Sequence, residues 1–324
     1  MAKILAADIG GTNSRFALFE ARGDSLDMLD SIWLETHGAR TFPELVEQLW
    51  ASEFPVRPGS FEAAVLAPAG AVYHGLTCPD LPNAPWGIDL REVDFGTPAV
   101  RLINDFSAQA YACRTSAVDD ALVLQAGEPT DGTTEGETIG VIGAGTGLGY
   151  SALLKTGGKW TALPSEGGHM TFPFVGRKEA EYGEFNRIES GRNWPEGDSV
   201  VTGLGLRLVH RFLTGEDLSP KEISAKLTPT SETAKWYARF YARACRNWAI
   251  GLMTTGGMFI AGGVAAKNPM LVQVPEFMDE FHNSHVYQEF LHAVPVRLNA
   301  NQASGLFGAA FYGAQMLADR GEGA

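Results

Sequence analysis

The sequence predicts an α/β protein of two domains, and three observations carry that prediction. A chain of 324 residues, 45% of them apolar, is longer than a single hydrophobic core usually sustains. The pattern of apolar strand, glycine turn containing Thr, and apolar strand occurs twice, at 3–20 and again at 138–154. Between the two, the apolar run 99–103 enters Asn104-Asp105 and a small-residue helix at once. Open α/β sheets bind their ligands at such strand ends.

In the first hairpin, residues 3–7 and 15–20 read as strands and Asp8-Ile9-Gly10-Gly11-Thr12-Asn13 as the turn. Gly10 and Gly11 clear side chains from the backbone, Thr12 and Asn13 add donors, and Asp8 sets a carboxylate beside the amides. A magnesium-bound phosphate needs this combination, with amides for its oxygens and a carboxylate for the metal or its waters. An ordinary hairpin turn is also a good use of Gly-Gly. Residues 41–52 carry Leu45, Val46, Leu49 and Trp50 at helical spacing and read as a core-facing helix. Residues 63–67 are a buried strand, followed by a loop whose prolines, with Asn83 and Trp86, make it irregular.

Asp105 then stands where rigid backbone holds a carboxylate, a placement suited to a general base. The alternative is that Asn104 or Asp105 simply caps the helix 106–113. After a polar stretch at 127–137, Gly143-Ala144-Gly145-Thr146-Gly147-Leu148-Gly149 forms the second glycine turn. Leu148 stands where a dinucleotide fingerprint needs glycine, and no phosphate-loop lysine motif exists. Two such hairpins suggest duplicated domains that hold one nucleotide from both sides; chance similarity of glycine turns is the alternative.

A strand at 159–164 precedes Glu166-Gly167-Gly168-His169, placed on a tight turn. Carboxylate and imidazole suit a neutral, hydroxyl-rich ligand, although a solvated turn has the same composition. No second histidine makes it a metal site. Asp198 to Gly203 precedes a helix at 204–213, and the helix 231–255 aligns Trp236, Phe240, Ala244, Trp248 and Leu252 on one core face. The strand 258–261 enters Gly262-Gly263, a junction that lets a flat ring lie against backbone. A strand at 295–298 and a small-residue helix at 305–316 close the chain.

The formal charge of -13 and pI near 5.0 argue against nucleic acid or an anionic membrane as partner, since phosphate backbones reward clustered Lys and Arg. Three distant cysteines give no disulfide framework or zinc spacing. The N-terminal apolar run is too short for a signal peptide, and no stretch nears the ~20 residues of a membrane span. A cytoplasmic location is expected.

Taken together, Ala7-Asp8-Ile9-Gly10-Gly11-Thr12-Asn13 with Arg15, Ile103-Asn104-Asp105-Phe106, the turn Gly143 to Gly149, Glu166-Gly167-Gly168-His169 and Ile260-Ala261-Gly262-Gly263 resemble the bacterial glucokinases over nearly the whole chain. The zinc motif of the related repressor/kinase sugar family is absent. The resemblance implies the two-domain actin-like ATPase (ribonuclease H-like) fold with a deep cleft, the smaller domain from 1–110 plus 303–324 and the larger from 111–302. It implies ATP and Mg2+ as cofactors, with nucleotide contacts at Asp8, Gly10, Gly11, Thr12, Asn13, Gly143, Gly145, Thr146 and Gly147, adenine near Gly262 and Gly263, and the metal held by Asp8 through water. Glucose contacts fall on Asn83, Asn104, Asp105, Glu166, His169 and Asp198, with Asp105 as the base for the 6-hydroxyl. Family members are commonly dimers, so a homodimer is expected. Alternatives are a kinase of the same fold for mannose, fructose or an amino sugar, or a non-catalytic sugar sensor.

One residue departs from the family pattern. Asp198 lies four residues before Thr202-Gly203, where the family usually has Glu before Ser-Gly. The carboxylate then stops about 1.5 Å, one carbon–carbon bond, short of the sugar. A backbone shift or a bridging water closes that gap, so Asp198→Ala is expected to weaken glucose binding and spare ATP. Glu196 and Glu189 are the rival carboxylates.

Overall fold

The computed structural model describes residues 1–23, 25–128 and 136–321, so most of the polar stretch 127–137 and the end of the 303–324 segment lie outside the described residues. The chain forms two compact units: Met1–Asp120 with Lys159–Pro164 and Asn301–Ala324, and Ala121–Gly158 with Ser165–Ala300. Its strands are β1 (Ala2–Ile9), β2 (Asn13–Arg22), β3 (Ser25–Glu35), β4 (Ala63–Pro68), β5 (Thr77–Cys78), β6 (Ile88–Asp89), β7 (Val100–Leu102), β8 (Leu122–Gln125), β9 (Thr138–Ala144), β10 (Leu148–Thr156), β11 (Lys159–Ser165), β12 (Gly257–Ala261) and β13 (Val296–Leu298). The helices are α1 (Phe42–Ala51), α2 (Asp105–Ala112), α3 (Gly176–Ser190), α4 (Gly197–Val200), α5 (Gly203–Thr214), α6 (Pro220–Lys226), α7 (Glu232–Leu252), α8 (Gly263–Lys267), α9 (Met270–Gln273), α10 (Pro275–Phe281), α11 (Gln288–Ala293) and α12 (Ser304–Asp319).

In the first unit the sheet order is β3-β2-β1-β4-β7. β1 runs antiparallel to β2 and parallel to β4, which runs parallel to β7. Successive side chains of a strand face opposite ways. Leu5, Ala7 and Ile9 therefore pack with Phe42, Leu45 and Leu49 of α1, while Ile4 and Ala6 pack with Leu306, Ala309 and Ala310 of α12. Burial on both faces is why β1 reads as an unbroken apolar run. The small residues of α12 let it come close: a Cβ on Gly308 would lie 1.8 Å from the Ala108 carbonyl oxygen, and one on Gly313 would lie 2.8 Å from Ile4. Because α2 is one helix packed on α12, the first unit runs past the expected boundary at 110 and takes in residues 111–120. It also takes Lys159–Pro164, where Gln315 pairs with both backbone polar groups of Trp160 and the Tyr111 hydroxyl accepts from Ala162 N–H.

In the second unit β10-β9-β12-β13 repeats the pattern of β2-β1-β4-β7, an antiparallel hairpin followed by two parallel strands, and β8 adds to β13 antiparallel. The long helix α7 buries Trp236, Phe240 and Ala244 in its core. Arg243 on the same helix is 1% exposed and meets Glu179 of α3 at 2.6 Å and Glu280 of α10 at 2.8 Å. Arg246 also reaches Glu280, at 2.9 Å, so two arginines balance two carboxylates.

Candidate active site

In the first unit the candidate residues lie at the end of β1, in the turn after it and at the corner after β7. Gly10 N–H donates to the Asn13 carbonyl at 3.0 Å and closes the turn. Thr36, which the sequence reading overlooked, braces it from beyond β3: its hydroxyl donates to the Gly10 carbonyl at 2.7 Å and its N–H to the Thr12 carbonyl at 2.9 Å. With those carbonyls engaged, the turn has amides to offer an anion. Gly11 is glycine for a reason within the protein, since a Cβ there would lie 1.7 Å from the Pro82 carbonyl oxygen and 3.0 Å from the Asn83 Cβ. The loop carrying Asn83 is thus seated directly on the turn. Asn83 has φ 63°, a left-handed conformation that Asn adopts more readily than most residues.

Asp8 sits on β1 opposite Arg15 of β2. Burial pushes its carboxyl above the ordinary range, with the Arg15 charge opposing the shift. A desolvated carboxylate of this kind favours a cation beside it. At the β7 corner the capping question is answered by Asn104. Its Oδ1 accepts from Phe106 N–H at 2.9 Å and Ser107 N–H at 3.4 Å, and its Nδ2 donates to the Gly70 carbonyl at 3.1 Å. Asp105 is the first residue of α2, and its Oδ1 shares the Phe106 N–H with Asn104, at 2.9 Å. Burial, with the charges of Asp80 and Asp105, pushes the Cys78 thiol up to about 11.

In the second unit the candidate residues lie in the other glycine turn and in the Glu166–His169 segment. Gly145 N–H donates to the Gly147 carbonyl at 2.8 Å, and Gly203 N–H at the start of α5 donates to the Gly145 carbonyl at 3.3 Å. None of Gly10, Gly11, Gly143, Gly145 and Gly147 has positive φ, so left-handed backbone is not what these turns require of glycine. Gly145 keeps open space instead: a Cβ there would meet nothing nearer than the Gly147 carbonyl oxygen at 3.9 Å. Gly262 does have positive φ, 85°, and its missing side chain admits the backbone of Ala144, whose carbonyl oxygen would lie 2.5 Å from a Cβ. Gly263 has open space beside it, so the room for a flat ring is there and not at Gly262.

Gly167–His169 forms a single tight helical turn. Gly168 packs on the backbone of Leu148, whose carbonyl oxygen would lie 2.1 Å from a Cβ at that position. His169 Nδ1 is 3.2 Å from Glu196 Oε2, and its Nε2 is 3.8 Å from Glu166 Oε2. Asp198 is engaged elsewhere: Oδ1 accepts from Leu148 N–H at 2.6 Å and Oδ2 accepts from Arg192 Nη2 at 3.0 Å. Arg192 Nη1 pairs with Glu196. Both oxygens of Asp198 thus have protein partners, and through Leu148 N–H the side chain fastens the second glycine turn. Glu196 lies beside His169, while Glu189 is drawn off to Arg211 at 2.8 Å. Arg192 was missed; its spacing to Glu196 and Asp198 was the available signal.

Among the described residues no helix is long and apolar enough to cross a membrane. A family model described as Glucokinase matches residues 5–316. A glucokinase of Nostoc punctiforme is 29% identical, with 98% of this chain and 100% of that protein covered. One of Shigella dysenteriae is 28% identical over 97% of each. The crystal structure of a glucokinase from an Antarctic psychrotroph superposes with a TM-score of 0.82 at 25% identity, covering 96% of this chain and 98% of that one. The repeated sheet pattern and these matches agree with the expected two-domain actin-like kinase fold, and the chain belongs to the glucokinase family.

Proposed function

We propose that the protein transfers the γ-phosphoryl group of ATP to the 6-hydroxyl of glucose, giving glucose 6-phosphate and ADP, with Asp105 as general base. The observation that carries the assignment is the β7 corner, where Asn104 caps α2 through Phe106 and Ser107 N–H and Asp105, whose Oδ1 also accepts from Phe106 N–H, is fixed by backbone at the first turn of the helix. Phosphoryl transfer passes through a loose transition state, so the protein chiefly positions an in-line hydroxyl and neutralises oxygen charge. Asp105 accepts the hydroxyl proton as the bond to phosphorus forms. The amides of Gly11 and Thr12 and of Thr146 and Gly147 hold phosphate oxygens, with Gly10 and Gly145 N–H closing the two turns, Gly263 offers the space for adenine, and His169 with Glu166 and Glu196 hold sugar hydroxyls. Asn83 and Asn104 frame the sugar from their own unit.

The desolvated carboxylate of Asp8 fits a magnesium ion. Among the described residues no group of three or more His, Cys, Asp or Glu side chains could hold a metal, so Asp8 would hold the ion only together with phosphate oxygens and waters. When bound, the ion neutralises charge on the phosphates. Because burial raises the Asp8 pKa, its share of stability is present below the ordinary carboxylate pKa and is lost as pH rises through the raised one. Asp8→Asn is therefore expected to melt at a higher temperature than the wild type at neutral pH while losing activity; a lower melting temperature by calorimetry would assign Asp8 a structural role.

A coupled ADP assay over a panel of hexoses tests the activity. Glucose turnover is expected, and turnover of mannose, fructose or an amino sugar alone would reassign the substrate. Gly145→Val is expected to raise the KM for ATP tenfold or more, on the order of 1.4 kcal/mol of binding. The added side chain meets open space in the protein, so an unchanged KM would exclude the phosphates from this turn. The family resemblance supports a cytoplasmic homodimer, which light scattering at micromolar concentration tests.

A further inference from the structure

We propose that Arg192 couples the hexose turn to the nucleotide turn, acting through Glu196 on one and Asp198 on the other. The proposal rests on the site assignment above. It makes Glu196, beside His169, the sugar-side carboxylate, and makes Asp198 a strut of the glycine turn.

The guanidinium bridges the two carboxylates, meeting Glu196 through Nη1 and Asp198 through Nη2 at 3.0 Å. The sugar end of this bridge is Glu196 Oε2, which also meets His169 at 3.2 Å. At its nucleotide end, Asp198 Oδ1 accepts from Leu148 N–H at 2.6 Å and would lie 3.1 Å from a Cβ on Gly147. Glu196 and Asp198 are mostly buried, with side chains 15% and 16% exposed, and Arg192 is 29% exposed, so the network is partly shielded from solvent screening. Leu148 links the turns a second time, its N–H held by Asp198 and its carbonyl packed against Gly168.

Charge gives the coupling its sign. One guanidinium is shared by two carboxylates, so the cluster carries a net negative charge beside the turn assigned to phosphates. A sugar hydroxyl that donates to Glu196 satisfies part of that carboxylate and leaves Arg192 to pair more fully with Asp198. The negative field at Gly147 and Leu148 falls, and the nucleotide binds more tightly. By linkage, the nucleotide must tighten glucose by the same factor. Arg192 touches neither ligand, so it is a positioning residue.

The test is the affinity of a non-hydrolysable ATP analogue, measured by calorimetry with and without saturating glucose. In the wild type, glucose is expected to tighten the analogue at least about 5-fold, the lower end of typical coupling. In Arg192→Met, which keeps the aliphatic stem and removes the charge, the ratio should fall to about one while each ligand still binds alone. Arg192→Lys, a point charge without the fork, should show a ratio below wild type, and it serves if the Met variant does not fold. A wild-type ratio of one, or a wild-type ratio retained in either variant, overturns the coupling. Failure of the wild type to bind glucose overturns the site assignment itself, and with it the coupling, before any variant is compared.

Discussion

Replacing Asp105 by Asn is expected to leave glucose affinity within an order of magnitude and to lower turnover by at least about 10²-fold, the usual contribution of a positioned general base. The amide matches the carboxylate in size and still hydrogen-bonds a hydroxyl, but it cannot take the proton. The N-terminus of α2 is kept, because Asn104 accepts from Phe106 and Ser107 N–H and the variant's amide oxygen can still accept from Phe106 N–H as Asp105 Oδ1 does. An ordinary melting temperature and a glucose dissociation constant near wild type should therefore accompany the loss of kcat. Loss of an interaction made only in the transition state lowers kcat and kcat/KM together. Turnover near the wild-type rate would remove Asp105 from the chemistry and return it to the helix.

Arg243→Ala should destabilise the protein by about 3–5 kcal/mol, the cost of stripping the partner from buried charges. Glu179 and Glu280 are each 9% exposed, and Arg243 lies against both. Arg246 keeps its contact with Glu280, and Val175 N–H still donates to Glu179 at 2.8 Å, so Glu179 loses the larger share of its compensation. Replacing Arg243 by Met and Glu179 by Leu together should recover much of the loss, since an apolar pair of similar volume often matches a buried ion pair. Urea unfolding of the single and double variants decides this: a single variant within about 1 kcal/mol of wild type would mean that water reaches these groups on opening.

Legibility in the sequence followed the burial of apolar side chains. Both glycine hairpins, the strand entering Asn104 and the aromatic face of α7 were readable, because their apolar residues repeat at strand or helix spacing. α3 was not: its buried positions are Glu179, Tyr182, Gly183 and Asn186, and a face built of a carboxylate, an amide and a glycine leaves no hydrophobic period. β3 was missed for the opposite reason, being mostly exposed, with Met28, Leu29 and Trp33 all facing solvent. In the candidate site the residue types were legible but their partners were not. Nothing in the spacing of Asp198 shows that Leu148 N–H consumes one oxygen, or that Gly11 is glycine for the sake of Pro82. Such facts are set by contacts between residues distant in sequence.

The packing of α12 against β1 and α2 bears on the order in which a growing chain can complete its folding. The first 120 residues bring the sheet of the N-terminal unit, yet one face of β1 finds its cover only in residues 304–319. Ribosomal synthesis proceeds from the N-terminus at about 5–20 residues per second. All of the second unit, residues 121–300 less the 159–164 segment, is therefore made before that cover exists. The earliest strands to be synthesised wait with Ile4, Ala6 and Phe19 unsealed while the middle of the protein acquires its core. A nascent chain arrested near residue 300 should accordingly yield a protease-resistant middle and a protease-sensitive beginning, and the first sheet closes once α12 emerges.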